Sequence, residues 1–180
     1  MTVNAYMVIT LSDGELLKSE NAQELGSGFQ DPFPGRPALG PGKVLFPLQS
    51  FSTGLSTTVT VAAKTGIDAG KPDFGDLSVM RVLDVATTTF FIDLCSGKAI
   101  KYVDVLIAKA GDPPTTFAGF GLGKVLVSSL QWSGSEETPE ESVSFAYGQI
   151  WMAYRVQNPQ SDAYGSWAIK GWDRTKNAAL

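Results

Sequence analysis

The segment that most constrains this chain runs from Ser142 to Val156, SVSFAYGQIWMAYRV. In its first half Val143, Phe145 and Tyr147 alternate with Ser142, Ser144 and Ala146, the period-two pattern of a strand with one buried face. Past Gly148 the pattern changes. Ile150, Met152, Tyr154 and Val156 form an apolar row, while Trp151 and Ala153 are apolar on the other side, so both faces ask for cover. Gly148 is the expected bulge or bend. About fourteen residues of strand run ~45 Å, whereas a chain of this size has a radius of gyration of only ~16 Å. Such a strand must bend or reach past its own core, and apolar cover on two faces points to contacts between subunits.

The rest of the chain reads as partners for that strand. Val3 to Leu11, Lys43 to Ser52, Thr57 to Ala63, Phe74 to Leu83, Lys101 to Lys109, Thr115 to Ser129 and Trp167 to Trp172 carry β-branched and aromatic residues between turn signals. In Thr57 to Ala63 threonine and valine alternate as in a strand with one buried face. One stretch, Asp84 to Ile100, reads as a helix. Thr87 or Thr88 is the expected cap, Phe90, Phe91, Leu94 and Cys95 the packed side, and Gly97 the left-handed stop followed by Lys98. One short helix among many strands predicts an all-β barrel or sandwich, in a single domain over 1–180. Residues 26–42 hold five glycines and four prolines in seventeen positions, which predicts a long projecting loop.

The chemical inventory is sparse. The chain has no histidine, which removes Ser-His-Asp and Cys-His catalysis and histidine metal sites together. Its one cysteine, Cys95, can form neither an internal disulfide nor a thiolate cluster, so packing must supply the stability. Net charge is -4 with Lys and Arg scattered singly, which argues against nucleic acid as a partner. No apolar run approaches the length of a membrane span, and the amino terminus lacks the basic start and cleavage site of a signal peptide, so folding in the cytoplasm is expected.

Three features invite chemistry and fall short of it. AGFGLGK (118–124) imitates a phosphate loop, but position 118 is alanine and Val125 stands where a magnesium-binding hydroxyl is required. The three glycines 119, 121 and 123 instead share one strand face and admit a close neighbour. Glu136, Glu137, Glu140 and Glu141 could supply a hydrolase's carboxylate pair, yet around Pro139 in a polar turn all four are expected to stay solvated and ionised. Trp132, Trp151, Trp167 and Trp172 could stack sugars in a carbohydrate-binding β-sandwich, or anchor a core or an interface. No catalytic, cofactor or metal residue is expected, and the chain is not expected to be an enzyme.

Several stretches, in order, resemble the Hcp family, the haemolysin-coregulated proteins of the bacterial type VI secretion system. SFSTGLS (50–56), DFGDLSVMRVLDVATTTFFIDLCSGKAI (73–100), VLVSSLQWSGSEETPEESVSFAYGQIWMAY (125–154) and GWD (171–173) carry the likeness. The resemblance implies a β-barrel of two sheets with one flanking helix, closed six-fold into rings that stack as a tube inside a contractile sheath. It implies effector proteins in the lumen, a VgrG-type spike at the tip, secretion without a signal peptide, and no cofactor or membrane insertion. A phage-like tail tube is the near alternative. Trp151, Met152 and Tyr154 are the expected interface residues of the long strand, and Phe29, Phe33 and Arg36 of the loop are the expected stacking surface.

Overall fold

The computed structural model describes residues 3–24, 28–39, 42–63, 66–111, 114–134, 138–158 and 163–180. In chain order the strands are β1 (Val3–Thr10), β2 (Gln23–Glu24), β3 (Lys43–Leu48), β4 (Ser50–Ser52), β5 (Leu55–Ser56), β6 (Val59–Ala62), β7 (Gly66–Ala69), β8 (Asp73–Phe74) and β9 (Leu77–Val82). Helix α1 (Ala86–Ser96) follows, then β10 (Ile100–Lys109), β11 (Thr115–Ser133), β12 (Glu140–Tyr154), β13 (Ala168–Asp173) and β14 (Ala178–Ala179). The mainly-β class with one helix is as the sequence predicts.

Pairing starts from the long strand. β11 lies along β12 from Ala118↔Tyr154 to Ser133↔Glu140. The other edge of β12 has two tenants, β9 along Glu140–Phe145 and β13 along Gln149–Tyr154. From β11 the antiparallel order continues through β10 and β1 to β3. β4 follows β3 after Gln49 and pairs with β9, which returns the circuit to β12. The interior holds Met7, Ile9, Phe46, Leu77, Phe90, Val105, Val125 and Phe145.

The interior fixes an unusual row. Ile100 and Val103 of β10 both enter this core, as do Leu122 and Val125 of β11, with Tyr147 and Ile150 of β12 beside them. Residues three apart on an alternating strand point to opposite faces, so each strand slips phase between the two. The slips lie side by side: Ile100 faces Val125 and Val125 faces Tyr147, while Val103 faces Leu122 and Leu122 faces Ile150. Partners therefore stay in register while the faces exchange. In the middle of this row Lys124 adopts φ 55. No residue is inserted at Gly148, contrary to the bulge expected there; the bulge of this ladder lies between Val127 and Ser129.

The exchange gives the sheet a second covered face. Tyr6, Val8, Leu45, Leu106, Ala108, Trp151 and Ala153 form an outer cluster, and Phe29 and Phe33 cover it. Residues 28–39 of the segment expected to project thus lie on the sheet, and neither Phe29 (7% exposed) nor Phe33 (4%) offers a stacking surface. The cause is the glycine row. A Cβ on Gly121 would stand 2.8 Å from Phe33 Cδ2 and from an Arg36 nitrogen, and one on Gly119 would stand 3.4 Å from Phe33 Cζ. Glycines on β11 leave a trough, and residues 28–39 lie in it as a strap.

Helix α1 also departs in detail. Thr87 and Thr88 do not cap it: Asp84 Oδ1 accepts from Ala86 N–H (2.9 Å) and the distant Glu20 accepts from Val85 N–H (3.1 Å). Its buried residues are Ala86, Thr87, Phe90 and Asp93, while Phe91 is 49% exposed and Cys95 is exposed. Gly97 ends it in the left-handed conformation, as its sequence requires (φ 64).

Candidate assembly surfaces

A polar site is the first possibility to test. Glu136 and Glu137 lie outside the described residues. Glu140 and Glu141 are consecutive on β12 and so point to opposite faces, which prevents them from acting as a facing pair. Glu140 accepts from Gln49 Nε2 (2.7 Å), whereas Glu141 is 1% exposed and ion-paired to Arg81 (3.4 Å). The expectation of four solvated carboxylates fails at Glu141, whose pKa is raised by burial and only partly offset by Arg81. Arg81 itself is buried, pairs with Asp84 and lies over Phe46 (4.9 Å) and Phe90 (5.5 Å). That cluster ties β9, β12 and α1 together.

The tryptophans do not make a sugar platform, because they stand in separate places. Trp151 is buried under the strap, Trp167 packs at its edge, Trp172 borders a groove on the other face, and Trp132 lies beside α1. What the chain leaves uncovered is apolar. Beyond the phase slip, the face that lined the interior continues as Phe120, Ile150 and Met152, and no segment among the described residues closes over it. With Leu55, Phe74 and Trp172 these residues line a groove of about 380 Å³. Leu55 is 66% exposed and Met152 55%, and Tyr154 (48%) and Val156 (65%) continue the same row. Lone exposed apolar residues are ordinary, but a contiguous row of this kind marks an interaction surface.

A second uncovered surface is the hairpin β6–β7. Val61 pairs with Ile67 and Val59 with Ala69, so these four side chains share one face, and all eight hairpin residues are exposed. The alternation in Thr57 to Ala63 predicts one buried face, but both faces of the hairpin are exposed, and none of the described residues covers it. Only its base is tied down, through Gly70 N–H to Thr58 O (2.8 Å) and Thr57 Oγ1 to Gly70 O (2.8 Å). An isolated two-stranded hairpin is marginal in water, so this one needs a neighbour.

A third lies on α1. Its exposed side carries Val85, Phe91 and Ile92 and no charged residue, and Phe91 leans on Trp132 with ring centres 6.2 Å apart. Of the residues expected at an interface, the fold brings Met152 and Tyr154 to an open surface and buries Phe29, Phe33, Arg36 and Trp151 within the chain. The hairpin and the α1 face went unassigned from sequence.

The model of the family described as "Type VI secretion system effector, Hcp" matches residues 43–154. The chain belongs to the Hcp family. It is accordingly a structural tube subunit of a type VI secretion system. Solved structures agree on the fold. A type six secretion system protein superposes with TM-score 0.73 at 19% identity, over 99% of this chain and 100% of that one. Hcp1 from Salmonella typhimurium gives 0.66 at 17%, over all of both chains, and Hcp3 from Pseudomonas aeruginosa 0.59 at 17%, over 95% and 99%. No curated protein matches the sequence. The strap lies wholly before the matched residues and packs on strands within them and on β1.

Proposed function

We propose that six copies of this chain close into a ring through the groove beside β12, and that rings stack through the hairpin β6–β7. The observation that supports this most is the pair of unlike apolar surfaces, a concave one at Leu55, Phe120, Ile150 and Met152 and a protruding one at Val59, Val61 and Ile67. Unlike surfaces give head-to-tail contacts, which close when the rotation allows and otherwise propagate; a ring uses the first and a stack the second. The uncharged α1 face, on neither surface, is the one we assign to the surrounding contractile sheath. Effector proteins in the lumen, a VgrG-type spike and export without a signal peptide complete the proposal, and no catalytic step belongs to it.

Charge placed in the groove tests the assignment. Met152→Glu sits on a half-exposed position, so the chain should keep its melting temperature within about 0.5 kcal/mol of stability while losing its ring population. Val61→Glu should leave single rings and abolish stacks. Intact rings in Met152→Glu by mass photometry would remove the groove from the ring contact.

A further inference from the structure

The strap is fastened by groups that tube assembly does not require. Arg36 lies over the rings of Tyr102 (4.0 Å), Trp151 (4.6 Å) and Phe33 (5.3 Å). Its Nε donates to both oxygens of Asp104 (3.2 and 3.0 Å) and its Nη2 to Oδ1 (2.7 Å), with Arg36 3% and Asp104 0% exposed. Beside this pair stands a second carboxyl, Asp31. Its Oδ1 accepts from Phe33 N–H (3.0 Å), and its Oδ2 is buried with no hydrogen-bond partner.

The charges there do not balance. Two carboxylates and one guanidinium would leave a net negative charge on groups largely withdrawn from water, which is unfavourable. Arg36 is the cation whose charge acts on the two carboxyls. Arg155 serves another part of the strap, donating to Thr116 O through Nε (2.8 Å) and to Gln30 Oε1 (3.1 Å). Lys101 lies over the Tyr102 ring, 5.7 Å from its centre, and Tyr102 itself stacks under Arg36. The Arg36 Nη1 is taken by Pro34 O (2.9 Å).

We propose that Asp31 and Asp104 share one proton, and that this proton latches residues 28–39 onto the sheet. Both Asp104 oxygens accept from Arg36 and Asp31 Oδ1 accepts from Phe33, and a proton held between the two carboxyls gives the buried Asp31 Oδ2 the partner it otherwise lacks. Burial raises both carboxyls, well above the ordinary range at Asp104, which is the direction the latch requires. The pair titrates as a unit. A raised pKa in the closed state means that strap stability is complete below the ordinary carboxylate range and declines as pH rises, until the closed pair itself has lost its proton. Opening would bare Trp151 and the glycine trough, an apolar surface hidden at low pH and released at high pH. The latch does not depend on ring closure, so it stands or falls separately from the proposed assembly.

Hydrogen–deuterium exchange of the purified chain reads the opening directly. Corrected for intrinsic exchange, protection of the strap amides should fall about tenfold per pH unit from near pH 5 until the pair is deprotonated and then level off, while β1 and β10 stay protected. Asp31→Asn supplies a permanently neutral N–H donor and should hold the strap closed without that fall. Infrared spectra between pH 5 and the point where exchange levels off should show a protonated carboxyl that Asp31→Asn removes. The wild-type profile and the infrared band decide the matter without the variant. Strap protection independent of pH, an equal fall in Asp31→Asn, or no protonated carboxyl in that range would each overturn the latch.

Discussion

Lys124 stands across the ladder from Gly148, and its Cβ lies 3.2 Å from the point where a Cβ on Gly148 would be. This contact sits in the row where three strands exchange faces together, and a side chain there would make its neighbours give by a few tenths of an ångström. Gly148→Val should push on Lys124 and on Thr175, 3.4 Å away, and destabilise by about 1–3 kcal/mol. Chemical denaturation measures it; an unchanged midpoint would mean that the row does not need this approach.

Trp151 fills the outer cluster against Gly123 and Gly171, with Arg36 over its ring at 4.6 Å. Trp151→Ala removes that volume and the platform beneath the strap together. A loss of about 3–5 kcal/mol is expected, with faster exchange of residues 28–39 as its local signature. Full stability in this variant would contradict burial within the chain.

Asp173 gathers donors from Thr175 N–H (2.8 Å), Thr175 Oγ1 (2.5 Å), Lys176 N–H (3.1 Å) and Gln149 Nε2 (2.8 Å). The Thr175 hydroxyl and Gln149 amide lead the causes that hold its carboxyl far below the ordinary range. A lowered pKa gives stability present above the unfolded value and lost as pH falls. The wild type should therefore lose melting temperature more steeply than Asp173→Asn below about pH 4. Parallel acid profiles would show that this turn does not act through charge.

Much of this was legible in the sequence, for reasons that can be named. Alternation in Val143, Phe145 and Tyr147 located the buried face of β12, and the change past Gly148 marked the phase slip, although not its form. The glycines at 119, 121 and 123 announced a close neighbour. They could not say that Phe33 and Arg36 fill the space, because nothing local in a Pro/Gly-rich segment records whether it stands off the sheet or lies upon it. Phe90 and Phe91 are adjacent and a broad apolar face could take both; here Phe90 takes the inside and Phe91 is half-exposed. Glu141 looked solvated because its neighbours are acidic, whereas strand parity put it inside with Arg81. The alternation in β6 located a strand, but the buried face it predicts is exposed in this chain.

The central claim is that the groove and the hairpin are covered by other copies of this chain. Light scattering with negative-stain imaging of the purified protein at micromolar concentration tests it most directly. Six-fold rings are the predicted result; a monodisperse monomer with no rings would contradict it.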